Sequence, residues 1–160
     1  MARTRLVTVL PEALLSYAKE YQLAASRLLL HHKEVEAPIY FLYTHAIELA
    51  FKVYLRSHGV PVQSKHLLSE LLDECRRNGL RLNPDDSDLT SVIHLLESEN
   101  KRHGFRYFVF EGTARPEITF LCDVVDRLML VVAEAVKRSP SADADKKAVL
   151  KFTVGRAEKK

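Results

Sequence analysis

The densest gathering of reactive side chains in this sequence is Glu99-Asn-Lys-Arg-His-Gly-Phe-Arg-Tyr107. Guanidinium groups at Arg102 and Arg106 suit phosphate, the imidazole of His103 exchanges a proton near neutral pH, and the ring of Phe105 or Tyr107 can stack on a base. Asn100 and Lys101 add further polar groups to the same stretch. A purely structural reading has equal standing: a helix C-terminus whose cations suit the dipole, followed by aromatics that plug a core.

A second constellation lies upstream, where His45, Glu48, Lys52 and Arg56 form a polar stripe through an otherwise apolar segment. Glu48 precedes Lys52 by four residues, the favourable order for an ion pair within one helix. Facing a shared cleft, the same groups would form a binding surface. His45-x-x-Glu48 and His66-x-x-x-Glu70 each place two metal-ligating types on one helical face, but two ligands do not make a metal site. The chain has no phosphate-cradling glycine loop, no His-Glu-x-x-His helix, no nucleophile elbow and no Cys-x-x-Cys pair. Neither a metal nor a cofactor is expected.

With 160 residues, the chain has the length of one domain and can bury a core without metal or disulfide staples. Its 47% hydrophobic and 28% charged residues match an ordinary globular protein and exclude collagen, coiled coil and wholesale disorder. The net charge of +3 is unevenly spread, because the segment from Lys137 onward carries +5 and the remainder −2. The pI of about 8.9 therefore reflects a basic tail and not a basic body. Residues 1–138 are expected to form the domain, and 139–160 a flexible tail in which Ala148-Val-Leu-Lys-Phe-Thr-Val could form an edge strand or bind a partner.

The apolar run before Pro11 is too short for a secretory signal, and the longest uncharged apolar stretch, Ala37 to Ile47, is too short to span a membrane. Cys75 and Cys122 are isolated within helical apolar patterns and read as buried thiols in a reducing compartment. A cytoplasmic location without membrane contact is expected.

Five helical segments must position the chemistry. The first opens at Pro11 and carries Leu14, Ala18, Tyr21, Ala25 and Leu28 at steps of four and three, running to about Lys33. The second follows Pro38 and is apolar around nearly its whole circumference until Gly59 and Pro61. Ser64 is placed to cap a third, with Leu67, Leu68, Leu71, Leu72 and Cys75 on one face and Gly79 as its stop. The fourth opens at Asn83-Pro84-Asp85-Asp86, buries Leu89, Val92, Ile93 and Leu96, and frays near Asn100 to Gly104 ahead of an extended stretch from Phe105. The fifth opens at Pro116-Glu117, buries Ile118, Leu121, Val125, Leu128, Val132 and Ala135, and closes at Lys137-Arg138.

Short loops joining long helices predict an all-α, mainly antiparallel five-helix bundle, with the third and fourth helices packed across it. The nearly all-apolar second helix is either central in the monomer or part of a two-fold interface, and a homodimer is expected. A charge introduced at Phe51 would test the interface.

Three segments, in this order and spacing, carry a family likeness. His45-Ala-Ile-Glu-Leu-Ala-Phe-Lys-Val-Tyr-Leu-Arg-Ser-His-Gly59 has a Glu and a Lys four apart before an aliphatic run and a Gly; Lys65-His-Leu-Leu-Ser-Glu-Leu-Leu72 opens a helix; Arg106-Tyr107 follows the next one. Together they resemble the HEPN superfamily of small helical bundles, although Leu67 stands where that family commonly has Asp after its His.

The resemblance implies a dimeric helical bundle. Many HEPN proteins are metal-independent endoribonucleases of toxin, defence or RNA-processing systems that use an Arg and a His four to six residues apart. Here Arg27 and His32 match that spacing but lie on the first helix and on different faces. Asn100-Lys-Arg-His103-Gly is similar to the nuclease motif, but Ser98 and Glu99 stand where its Arg is expected. Family members lacking the motif often bind nucleotides or partners, for example beside nucleotidyltransferases. The leading expectation is therefore a binding or accessory module for nucleotide, RNA, or a nucleotidyltransferase- or antitoxin-type protein. Its ligand surface combines Asn100, Lys101, Arg102, Arg106 and Tyr107 with Glu48, Lys52 and His66. The first alternative is an endoribonuclease with His103 as general base and Arg102 or Arg106 on the phosphate. The second is a structural dimerisation domain.

Overall fold

The computed structural model describes residues 10–62, 66–101 and 114–139, with only the backbone of 98–101. The extended stretch expected from Phe105 and the tail from 140 lie outside the described residues, as does Ser64. Among the described residues there are five helices: α1 (Pro11–His31), α2 (Glu36–Ser57), α3 (Leu68–Arg77), α4 (Ser87–Lys101) and α5 (Ile118–Lys137). All five fall where hydrophobic periodicity places them. None is long and apolar enough to cross a membrane.

The starts and stops follow local chemistry with four exceptions, one of them α3, which opens at Leu68 with Leu67 and not Ser64 at its N-cap position. α1 opens at Pro11, where the missing N–H costs nothing, and α2 begins at Glu36 so that Pro38 still sits in its first turn. Gly59 (φ 72°) ends α2 and Gly79 (φ 92°) ends α3; their left-handed backbones bring Val60 N and Leu80 N back to Leu55 O and Cys75 O, both at 3.0 Å. α4, in contrast, starts at Ser87 and not at Asn83. Asp85 accepts from Ser87 N at 2.8 Å, while Asp86 turns back to accept from Leu82 N at 3.0 Å and from Arg76 at 2.7 Å. Both carboxylates thus shape the turn ahead of the helix instead of its first turn. α1 stops at His31, short of Lys33, and α5 opens one residue later than expected, with Glu117 capping Phe120 N at 2.8 Å.

α2 is the central helix. Its buried residues include Ile39, Tyr43, Ile47, Phe51 and Leu55, and with Ala46, Ala50 and Val53 they cover rather more than half of the cylinder, leaving Glu48 and Lys52 on the remaining side. α1 folds back antiparallel against it, and Ser26 and Tyr43 hydroxyls meet at 3.1 Å. α5 runs alongside α2 in the same direction: Tyr40 Oη donates to Pro116 O at 2.7 Å near their starts, and Tyr54 and Val131 line one cavity near their ends. α3 lies on α2, where Cys75 Sγ approaches Phe51 O at 3.6 Å. α4 is tied to α5 by Arg127, which donates to Asp88 at 2.7 Å and to Asp123 at 2.9 Å.

Phe51 is fully buried within this single chain. It is therefore not a surface residue of an interface, and most of the apolar surface of α2, though not Phe41, is buried in the monomer. Cys75 is buried as expected, and burial, followed by the Glu74 carboxylate, pushes its thiol up to about 12. Cys122 is only partly buried, because it sits at the edge of the α5 stripe.

Candidate functional site

Two turns of α2 and the approach to α3 build the polar cluster. Glu48 and Lys52 project from the same side of α2, and Lys52 Nζ donates to Glu48 Oε1 at 2.6 Å. The same oxygen lies 2.9 Å from His66 Nδ1, immediately ahead of α3. The Glu48 and Lys52 side chains are only 15% and 18% exposed, whereas that of His66 is 71% exposed. Burial pushes the Glu48 carboxyl up, but the hydrogen bonds from Lys52 and His66 and their charges outweigh it and hold it below its ordinary value. Glu48 is thus a fixed anion that clamps one cation and one imidazole.

The N-terminus of α3 is held by a residue from another helix. Its N-cap position, Leu67, has no side chain able to cap. Glu97 of α4, buried at 8% exposure, instead accepts from Ser69 Oγ at 2.9 Å and from Ser69 N at 3.3 Å. This carboxylate satisfies donors that a local cap would otherwise take. It also brings the end of α4, three residues before Asn100, against the start of α3.

The structure therefore brings together Glu48, Lys52 and His66. Asn100 and Lys101 lie on the last turn of α4, and their side chains are outside the described set, as are Arg102, His103, Phe105, Arg106 and Tyr107 altogether. His45 packs edge-on against Tyr21 at 4.4 Å and parallel to Phe41 at 6.3 Å. His66 reaches Glu48 and not Glu70, because α3 begins only at Leu68 and so the two are not on one helix. Among the described residues no three His, Cys, Asp or Glu side chains gather to hold a metal ion.

The sequence reading missed two features. Glu97 acts through tertiary contact, and an isolated Glu in an amphipathic helix gives no sign of that. A cavity of about 900 Å³ opens at the far end of α2, lined among others by Tyr54, His58, Arg81, Leu130, Arg138 and Ser139. It contains none of the expected site residues. The carbonyl ends of α2 and α5 face it, Arg81 Nη1 is directed at Leu80 O at 2.6 Å, and Glu134 pairs with Lys137 at 2.7 Å. The Arg81 guanidinium thus sits against the C-terminal end of α3, where a cation answers the dipole.

Two long helices packed on a central α2, a Glu-Lys clamp on α2 and a His ahead of α3 describe the family pattern in three dimensions. No curated protein and no solved structure matches the chain. The family model described as HEPN domain matches residues 11–135, most of the chain and all five helices nearly to their ends. The chain belongs to the HEPN domain family.

Proposed function

We propose that the chain is a cytoplasmic HEPN-type accessory module that binds a ligand carrying both phosphate and base, an RNA or a free nucleotide. The binding surface consists of Lys52 and His66, positioned by Glu48, together with Asn100, Lys101, Arg102, Arg106 and Tyr107 of the following junction. One observation carries this reading: Lys52 and His66 converge on a single carboxylate at the end of α3 that Glu97 draws toward the end of α4. Glu97, four residues before Lys101, thereby ties the last turns of α4 to the start of α3. An ammonium has three donors and only one is taken by Glu48, and His66 Nε2 meets no partner among the described residues. Both groups can reach a phosphate.

The same contact supports a second reading, metal-independent RNA cleavage. A carboxylate on one imidazole nitrogen fixes the ring and its tautomer, which prepares the other nitrogen for proton transfer. In that case His66 or His103 takes the 2′-hydroxyl proton and Arg102 or Arg106 neutralises the phosphate.

Incubation of the purified protein with single-stranded and structured RNAs in EDTA, alongside binding of the same RNAs and of mononucleotides, separates the readings. Retention without cleavage, weakened by Lys52→Met and by Arg106→Ala but surviving His103→Ala, is the expected outcome. Cleavage that His103→Ala or His66→Ala abolishes would replace the binding reading by the nuclease one. A protein that neither binds nor cuts would refute both.

A further inference from the structure

The cavity at the far end of α2 is lined by donors that no contact among the described residues uses. Three helix ends meet there: His58 and Gly59 follow α2, Gly79 and Arg81 follow α3, and Arg138 and Ser139 follow α5. The polar atoms of the α2 wall are already engaged. Tyr54 Oη donates to Asn78 O at 3.1 Å, Ser57 Oγ to Tyr54 O at 2.7 Å, and His58 Nδ1 to the same carbonyl at 2.9 Å. What remains of that wall is the Tyr54–His58 ring pair, 4.3 Å between centroids. From α5 come Leu130, Val131 and Ala135, of which Leu130 is 69% exposed.

The unspent donors are cationic or buried. Arg81 donates through Nη1, to Leu80 O at 2.6 Å and Arg76 O at 3.3 Å, which leaves its Nε–Nη2 edge, a fork that matches a carboxylate, without a partner among the described residues. Arg138 is exposed, and its guanidinium likewise has no hydrogen bond among them. Ser139 is buried, at 4% exposure, and its hydroxyl has no hydrogen-bond partner, a state that a ligand oxygen would relieve. The acidic residue of the lining, Glu134, is answered by Lys137 at 2.7 Å. Each helix C-terminus presents about half a negative charge, so three of them leave the two guanidiniums with roughly half a unit of net positive charge. That balance accommodates one anionic group and disfavours a dianion. We infer that this cavity binds a small organic monocarboxylate, its head taken by Arg81, Arg138 and Ser139 and its apolar body laid along Leu130 and the Tyr54–His58 rings. The volume of about 900 Å³ lies within the ~300–1,000 Å³ of small-molecule sites. The site shares no residue with the Glu48 cluster, so it stands apart from the RNA or nucleotide reading.

Titration of the isotope-labelled full chain with octanoate, followed by amide NMR, tests the site. Octanoate is expected to bind with a Kd of about 0.1–1 mM, ordinary for a ligand of roughly ten heavy atoms, and to move the amides of Gly59, Gly79, Ala135 and Ser139. Acetate has the head without the body, octanol the body without the charge, and inorganic phosphate a second charge; each is expected to bind at least about tenfold more weakly. Arg81→Gln and Arg138→Gln should each raise the octanoate Kd about tenfold, the loss of one charge-assisted hydrogen-bonded contact. Leu130→Ser should weaken octanoate and leave acetate unchanged. Amide dispersion verifies that each variant is folded, and Arg138, past the end of α5 and without a hydrogen bond to a described residue, provides a variant that disturbs no contact of the bundle. Absence of octanoate binding, shifts confined to residues outside the cavity, affinity unchanged in both arginine variants, or phosphate binding as tightly as octanoate would each overturn the inference.

Discussion

Replacing Glu48 by Gln should destabilise the fold in a way that depends on pH, and the size of the effect follows from the site. Glu48 and Lys52 are less than one-fifth exposed and 2.6 Å apart, between the fully exposed pairs worth ~0–1 kcal/mol and the buried pairs whose breaking costs ~3–5 kcal/mol. We expect a loss of about 2 kcal/mol at pH 7, because the neutral amide leaves the Lys52 ammonium half-buried without its counter-charge. That corresponds to a fall in Tm of roughly 4–8 °C for a chain of this size. The carboxyl is held below its ordinary value of 4.5, so its contribution is present above that value and is lost as pH falls through the depressed one. Urea unfolding of wild type and Glu48→Gln between about pH 7 and pH 2.5, a span bracketing the carboxylate range, should give curves that are parallel above the ordinary carboxylate value and converge below it. Other lowered carboxyls, such as Glu117 and Glu134, titrate in both proteins and cancel in the difference. The double variant Glu48→Gln/Lys52→Met should recover part of the loss, since it removes the orphaned charge. A loss under about 0.5 kcal/mol at pH 7, the size of an exposed pair, or a difference that does not shrink in acid, would refute the reasoning.

Glu97→Ala should cost about 1–3 kcal/mol, the range for a lost cap or an unmatched buried donor, and hydrogen exchange should show the first turn of α3 opening while the middle of α2 stays protected. Phe51→Ala should cost about 3–5 kcal/mol by leaving a cavity at the centre of the bundle, read by denaturant unfolding, and the purified variant should lose stability without any specific change in oligomeric state.

Most of the fold was legible in the sequence because amphipathic helices announce themselves through spacing. The stripe Leu121, Val125, Leu128 and Val132 of α5 is buried as its periodicity requires, and the Pro11 start and the Gly59 and Gly79 stops are backbone chemistry that no tertiary contact needs to supply. The Glu48–Lys52 pair was legible for the same reason, being set by i,i+4 geometry on one helix. The start of α4 was not, because Asp85 and Asp86 suit a first helical turn as well as the turn ahead of it, and the contact of Asp86 with Arg76 of α3 decides between them. The junction residues from Arg102 to Tyr107, the most reactive stretch of the sequence, lie outside the described residues.

The amino-acid order by itself determined five helices, their apolar faces and the all-α class, because each depends on residues within a turn or two of one another. Tertiary structure alone decided that most of the apolar surface of α2 is consumed within one chain, with α1, α3 and α5 packed around it and Phe51 at zero exposure. It also decided that His66 turns to Glu48 and that Glu97 does the capping which Leu67 cannot. Those contacts join residues 18 and 28 positions apart, and periodicity carries no information about which neighbouring helix a polar side chain will meet.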